Sequence, residues 1–149
     1  MPAKNAAAEP GLLLDEQLCF ALYSASLAMT KAYQPLLAEL GLTYPQYVVM
    51  IVLWERDGLT VSEIGKRLFL DSGTLTPLLK RLEGGGLIAR LRDVQDERQV
   101  RIRLTASGRE LRSRAATVRE CVFKATRCTR SEVNALAQQL ATLRMRLLS

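Results

Sequence analysis

The sequence predicts a mainly α-helical fold with one small β-hairpin, arranged as a winged helix-turn-helix within a helical dimer. Three observations carry this expectation. Between Leu59 and Thr105, two short amphipathic runs broken at Asp71-Ser72 give way to a period of two. The triplet Gly84-Gly85-Gly86 marks the change of period. The segments before and after this stretch are helical in period, and carry more apolar residues than one buried face requires.

Met1 to Pro10 is small and polar, and is expected to be a disordered tail. Leu12 to Leu40 reads as one long helical region. Leu18, Leu22, Ala25 and Met29 share a stripe, while Phe20, Ala21, Leu27 and Ala28 add apolar surface elsewhere. A helix apolar nearly all round needs cover on more than one side, here its own domain and a second copy of the chain. Gly41 ends the region, and Thr43-Tyr44-Pro45-Gln46 opens a new helix, with proline in the first turn where its missing N–H costs little. Tyr47 to Arg56 predicts a compact buried helix with a core of Val48, Val49, Ile51, Val52 and Trp54, and Asp57-Gly58 a turn.

Thr60-Val61-Ser62-Glu63 is a capping box, in which hydroxyl and carboxylate each satisfy the other residue's backbone N–H. Val61, Ile64 and Leu68 then fall on one face. Asp71 and Ser72 break that helix and offer oxygens to start the next, whose buried stripe is Leu75, Leu78, Leu79 and Leu82. Pro77 would cost about 3 kcal/mol in a helix interior, so this helix is expected to begin near Gly73 or Thr74. In the hairpin, Leu87, Ala89 and Leu91 alternate with Ile88, Arg90 and Arg92, and Val100, Ile102 and Leu104 with Arg101 and Arg103. The polar turn Asp93 to Glu97 joins them, and the basic residues are expected on the open face.

In such a unit the second helix enters a DNA major groove. Its exposed side carries Ser72, Thr74 and Thr76, whose hydroxyls suit base edges or phosphates, and Lys80 and Arg81, which suit phosphates. The wing tip offers Asp96 and Arg98, with the guanidinium suited to a narrow minor groove. From Ala106 the helical period returns: Ser107 with Glu110 can cap, and Leu111, Ala115, Val118 and Val122 continue the stripe. Thr129-Arg130-Ser131-Glu132 is a further capping box. Val133, Leu136, Leu140, Leu143 and Leu147 form a seam for another helix. Two amphipathic ends flanking a reading head predict a two-fold dimer on a palindromic double-stranded operator, with recognition helices about 34 Å apart.

The chain has 149 residues, a formal net charge of +6 and no histidine. The positive charge favours a polyanion over an acidic small substrate. Without histidine there is no Ser-His or Cys-His pair and no imidazole metal ligand, so neither a metal nor another cofactor is expected, and an enzyme is not. Cys19, Cys121 and Cys128 lack metal spacing. No apolar stretch spans a membrane, and no secretory pattern opens the chain, which predicts a cytoplasmic protein with free thiols. Cys19 lies amid tyrosines: Tyr23 one turn on, then Tyr33, then Tyr44. Phenol hydroxyls can donate to a thiolate and stabilise it without any histidine.

The segments LDEQLCFALYSASLAMTKAY, LGLTYPQYVVM, DSGTLTPLLKRLE and DERQVRIRLT together resemble the MarR family of winged-helix regulators. The cysteine in LCFALYSAS with TYPQY resembles, within that family, the organic hydroperoxide sensors called OhrR. The resemblance covers about Leu13 to Leu147. It implies a dimeric repressor in which Cys19 is the peroxide-reactive thiol, Tyr33 and Tyr44 hydrogen-bond it and Tyr23 lies nearby. It also implies an apolar pocket for an organic hydroperoxide, with Leu18, Phe20, Leu22, Met50 and Trp54 as candidate walls. In two-cysteine members a C-terminal cysteine of the other subunit captures the sulfenic acid; Cys121 and Cys128 are both candidates, with Cys121 favoured. The organisation expected is a tail over 1–10, a dimerisation and sensor region over 11–45, a DNA-binding domain over 46–105 and dimerisation helices over 106–149. Two other readings stay open: a repressor of this family that senses a phenolic or other small ligand with Cys19 silent, and a thiol peroxidase.

Overall fold

A computed structural model describes residues 11–149; the expected tail over 1–10 lies outside the described residues. The elements run α1 (Leu18–Ala38), α2 (Tyr44–Glu55), α3 (Val61–Leu68), α4 (Ser72–Gly84), β1 (Ile88–Arg92), β2 (Val100–Leu104), α5 (Ala106–Thr126) and α6 (Arg130–Leu148). The expected mainly α fold with a two-stranded wing is what the chain adopts.

The long N-terminal helix is shorter than its apolar pattern suggested. A 3-10 turn covers Leu14–Glu16, Gln17 is extended, and α1 stops at Ala38. The Gln17 amide donates to the carbonyl oxygens of Gly11 and Leu13, so it serves the turn rather than a continuous helix. At the other end the Leu42 N–H closes on the Leu37 carbonyl at 3.0 Å, with Gly41 at φ +71°. Pro35, which the sequence pattern had not flagged, sits inside the last turn of α1, where it removes one helical donor.

Thr43 caps α2: its hydroxyl accepts from the Gln46 N–H at 3.4 Å, and its own N–H donates to the Gln46 side chain at 2.9 Å. The first turn of α2 therefore begins at Tyr44, just after the Gly41 turn. Tyr47, Val49, Met50, Val52 and Leu53 are buried, while the expected core residues Val48, Ile51 and Trp54 are half-buried. α2 is apolar on every side, so pattern alone could not say which side lay deepest. Trp54 spans out from it and donates its indole N–H to the Gly108 carbonyl at 2.8 Å, which ties α2 to the start of α5.

The α3 capping box forms as expected, with the Glu63 N–H on Thr60 Oγ1 at 3.2 Å and the Thr60 N–H on Glu63 Oε2 at 3.3 Å. Phe69, not Asp71, ends α3, in a left-handed conformation at φ 57°. A side chain with a Cβ is strained there by about 1–2 kcal/mol. Asp71 caps α4 by accepting from the Thr74 N–H at 2.7 Å, so α4 starts at Ser72, earlier than Pro77 had suggested. Pro77 leaves the Gly73 carbonyl without its helical donor, but Gly73 is exposed, so water can supply one.

In the wing, β1 pairs antiparallel with β2, with Ile88 opposite Leu104, Arg90 opposite Ile102 and Arg92 opposite Val100. This register reverses the expected facing of β1. Ile88 is buried, Leu91 is exposed, and Arg90 lies on the side of Ile102, where its Nε donates to Glu83 Oε1 at 3.1 Å. The other edge of β2 is held by residues before α3: the Ile102 N–H donates to the Leu59 carbonyl at 2.8 Å and the Gly58 N–H to the Ile102 carbonyl at 3.1 Å.

Thr105, rather than Ser107, caps α5; its hydroxyl accepts from the Gly108 N–H at 3.1 Å and donates to the Gly86 carbonyl at 2.6 Å. Thr129 caps α6 through the Glu132 N–H at 3.1 Å, and the reciprocal half of that expected box does not form. The core joins α2, α3, α4, the inner wing face, the C-terminal part of α1 and the Leu111, Ala115, Val118 and Val122 stripe of α5. α6 has no buried residue. Leu136, Leu140 and Leu147 of the expected seam face solvent, as do Leu18, Phe20, Tyr23, Leu27 and Met29 of α1.

Candidate DNA-reading head and thiol site

The reading head is assembled from the start of α3, the first turns of α4 and the wing. Ser72, Thr76 and Arg98 line one open cleft of about 860 Å³. Lys66 lines it too; the sequence reading missed this residue, although its position in the last turn of the first of the two helices was available. Thr74, Lys80 and Arg81 are exposed on α4 outside the cleft. The backbone N–H of Thr74, with that of Gly73, holds the Asp71 carboxyl below its ordinary range, which keeps the cap ionised.

The wing tip is a self-contained polar turn. Asp93 accepts from the Gln95 N–H at 2.9 Å and pairs with Arg101 at 3.0 Å, and these contacts lower its carboxyl from the ordinary value, the Gln95 bond first. Arg101 also donates to the Gly58 carbonyl at 2.8 Å, fastening the wing to the loop before α3. Asp96 takes the N–H and the Nε of Arg98 at 3.1 and 3.2 Å. Asp96 thus shapes the turn that presents Arg98. The Arg98 side chain is 92% exposed, so this ion pair is weak and leaves the guanidinium able to reach a phosphate.

The thiol and the phenols occupy opposite ends of α1. Cys19 is exposed in the first turn, with Tyr23 exposed one turn on. Tyr33 lies near the other end, where its ring centroid is 5.0 Å from that of Tyr44 and 5.6 Å from that of Tyr47. Tyr47, buried in α2, is a member of this cluster that the sequence reading passed over, although it stands three residues beyond Tyr44 in the same helix. Burial pushes the Tyr33 phenol up to about 12, reinforced by Tyr47 and Tyr44, with Arg119 opposing; Tyr47 is raised for the same leading reason. These phenols are therefore neutral O–H donors at any ordinary pH. Fourteen residues of α1 separate Cys19 from Tyr33, a rise of about 21 Å. One chain cannot bring them together.

Met50, offered as a pocket wall beside Cys19, is wholly buried in the core, whereas Leu18 and Phe20 are exposed around it. Cys121 is exposed in α5. Cys128 is half-buried in the loop before α6, with its N–H on Thr126 Oγ1 at 3.2 Å and its thiol on the Thr126 carbonyl at 3.4 Å. Among the described residues no group of three or more Cys, Asp or Glu is placed to hold a metal ion, and no helix is long and apolar enough to cross a membrane.

Comparison with known proteins agrees with this architecture. Residues 31–114 match the family model described as transcriptional regulator SarA/Rot. The chain is 56% identical over 131 residues to the HTH-type transcriptional regulator TtmR of Methylorubrum extorquens, covering 88% of this chain and 67% of that one. It is 46% identical over 130 residues to the organic hydroperoxide resistance transcriptional regulator of Bacillus subtilis, covering 87% and 88%. The structure of reduced AbfR bound to DNA superposes with a TM-score of 0.76 at 35% identity, over 91% of this chain and 95% of that one. A disulfide-formed AbfR structure superposes with a TM-score of 0.65 at 36% identity, over 91% and 92%. With a helix-turn-helix, a wing and these relatives in agreement, the chain belongs to the MarR-like winged-helix transcriptional regulators that include the SarA/Rot type and the organic hydroperoxide resistance regulators.

Proposed function

We propose that this regulator is a homodimeric repressor that leaves its operator when an organic hydroperoxide oxidises Cys19. The observation that carries the reading is the division of labour along α1. An exposed thiol stands at one end and a cluster of phenol side chains at the other, about 21 Å away, on a helix whose apolar side faces solvent. A second copy packed antiparallel over that side covers the apolar surface of α1 and α6. It also sets each Cys19 against the partner's Tyr33 and Tyr44, with Tyr23 beside its own thiol.

The chemistry then runs in two steps. The Cys19 thiolate, held by phenol hydrogen bonds, attacks the terminal oxygen of the hydroperoxide. The O–O bond breaks, the alkoxide takes up a proton and leaves as an alcohol, and the sulfur becomes a sulfenic acid, oxidised by two electrons. A resolving thiol of the partner attacks that sulfur, a disulfide forms and water departs. Cys121 suits this role better than Cys128, because its thiol is exposed while that of Cys128 is half-buried against the Thr126 carbonyl. Residues 11–45 and 106–149 serve as the sensing and dimerising parts around the DNA-binding unit. There Ser72, Thr74, Thr76, Lys80, Arg81 and Arg98 meet the duplex and Asp96 orients Arg98. The Bacillus subtilis relative, named for organic hydroperoxide resistance, and the disulfide-formed AbfR structure support the reading.

A gel shift on the duplex upstream of the chain's own gene, with and without cumene hydroperoxide, tests it. The native chain should release the duplex on oxidation, and Cys19→Ser should stay bound. Release by Cys19→Ser under the same treatment rejects the proposal. Derepression of that variant by a phenolic compound would point instead to ligand sensing with a silent thiol. Non-reducing digestion and mass spectrometry should recover a peptide that joins Cys19 to Cys121.

A further inference from the structure

The turn between α3 and α4 is held from two sides, and the outer side is held by the terminal helix. On the inner side, Gly65 lies so close to the turn that an added Cβ would stand 2.8 Å from the Leu70 carbonyl oxygen, and the Leu70 N–H bonds to the Gly65 carbonyl at 3.0 Å. The price of that tight closure is Phe69, left-handed at φ 57° and half-exposed, with its ring projecting from the turn. On the outer side, the Arg144 guanidinium of α6 stacks on that ring at 4.2 Å from its centroid.

We infer that Arg144 and Phe69 are a positioning pair that sets how the recognition helix is presented to DNA. The geometry gives the reason. α4 begins at Ser72, three residues after Phe69, so a small rotation at Phe69 re-aims the whole recognition helix. No residue of α6 is buried, so this stack lies outside the hydrophobic core and joins the terminal helix to the turn at the surface. Phe69 also lines the cleft that holds Ser72, Thr76 and Arg98, which places the stack at the rim of the DNA-facing surface without requiring Arg144 to touch a phosphate. Arg144 further lies one residue from Leu143 and one turn from Leu140, both on the α6 apolar seam. A shift of that seam would move the Arg144 guanidinium on the Phe69 ring. This inference rests on the winged-helix architecture and not on Cys19 chemistry.

The experiment is fluorescence anisotropy of the reduced full chain on a labelled duplex from its own upstream region, across a salt series. An exposed cation–π contact of this kind is worth roughly a three-fold change in affinity. Arg144→Gln and Phe69→Leu should each weaken binding by about three-fold with the salt slope unchanged, and the double variant should be no weaker than either single one. Arg144→Lys and Phe69→Tyr, which keep a cation and a ring, should recover most of the native affinity. A fall in slope of about one unit for Arg144→Gln would mean a direct phosphate contact and overturn the inference. Multiplicative losses in the double variant, unaltered affinity in both singles, or a changed oligomeric state in Arg144→Gln would overturn it too. Arg144→Gln alters an exposed helical position, so its result stands even where Phe69→Leu disturbs the strained turn.

Discussion

Gly108 shows how a single residue can be fixed by something distant in the chain. A Cβ there would stand 2.1 Å from the Leu87 carbonyl oxygen, inside any van der Waals limit, and its own carbonyl accepts the Trp54 indole N–H. Gly108→Ala should therefore cost about 3 kcal/mol, the upper part of the usual overpacking range, read as a lowered urea midpoint at constant m-value. A midpoint within error of the native one would mean that the α5 start relaxes freely. The local text, Ala106-Ser107-Gly108-Arg109, reads as an ordinary helix start, because the obstacle lies in another element. Tyr33 makes the same point through charge. Its folded pKa, about 12, exceeds the ordinary 10.0, mainly through burial. A raised phenol pKa means the folded state holds its proton longer, so the contribution to stability is whole below pH 10 and is lost as pH rises toward 12. Ultraviolet titration of the phenolate band should show a late-titrating component that Tyr33→Phe diminishes, with Tyr47 supplying the remainder; absence of any late component would contradict the buried cluster.

At the scale of elements, local chemistry was legible and pairing was not. Capping boxes join residues three apart, so Thr60 and Thr129 announced two helix starts, although the Thr129 box forms only in its first half, and the proline after Thr43-Tyr44 announced a third. Thr60 carries the most weight, since it is buried and also bridges Arg101 of β2. Thr60→Ala should cost about 1–2 kcal/mol while Thr60→Ser keeps most of the cap; equal midpoints for the two variants would show that the hydroxyl is idle. The facing of β1 was misread because alternation gives a period but not a phase. Ile88 turned inward once β2 and Glu83 supplied its neighbours, and Arg90 followed it to an ion pair rather than to the open face. The wing tip fared better: Arg98 is as exposed as its place in a polar turn suggested. Arg98→Ala should weaken operator binding and flatten the salt dependence by about one unit if it meets one phosphate. Asp96→Ala should lower affinity with the slope kept, because Asp96 arranges the turn and carries no positive charge.

The whole molecule was legible as a fold and as a family, but its proposed sensor was not legible as a site, since the sequence places Cys19 and Tyr33 on one helix and Tyr44 on the next without saying which chain they serve. The rise of α1 decides that they cannot meet within a chain, and a mixed dimer turns this into a test. Combine a Cys19→Ser chain with a Tyr33→Phe/Tyr44→Phe chain, separately tagged, and purify the heterodimer. If each thiol is served by the partner's phenols, the surviving Cys19 faces the intact tyrosines of the Cys19→Ser chain and should be oxidised by cumene hydroperoxide at the native rate. The tyrosine-less homodimer should react more slowly. If the phenols acted within a chain, the same Cys19 would face phenylalanine and the heterodimer would be as slow as that homodimer. The two outcomes differ in rate while the thiol count is the same for every reactive site, so stopped-flow oxidation separates them without reference to DNA. Native speed in the mixed dimer would place the switch between two chains, where one reactive end of α1 is completed by the other end of its neighbour.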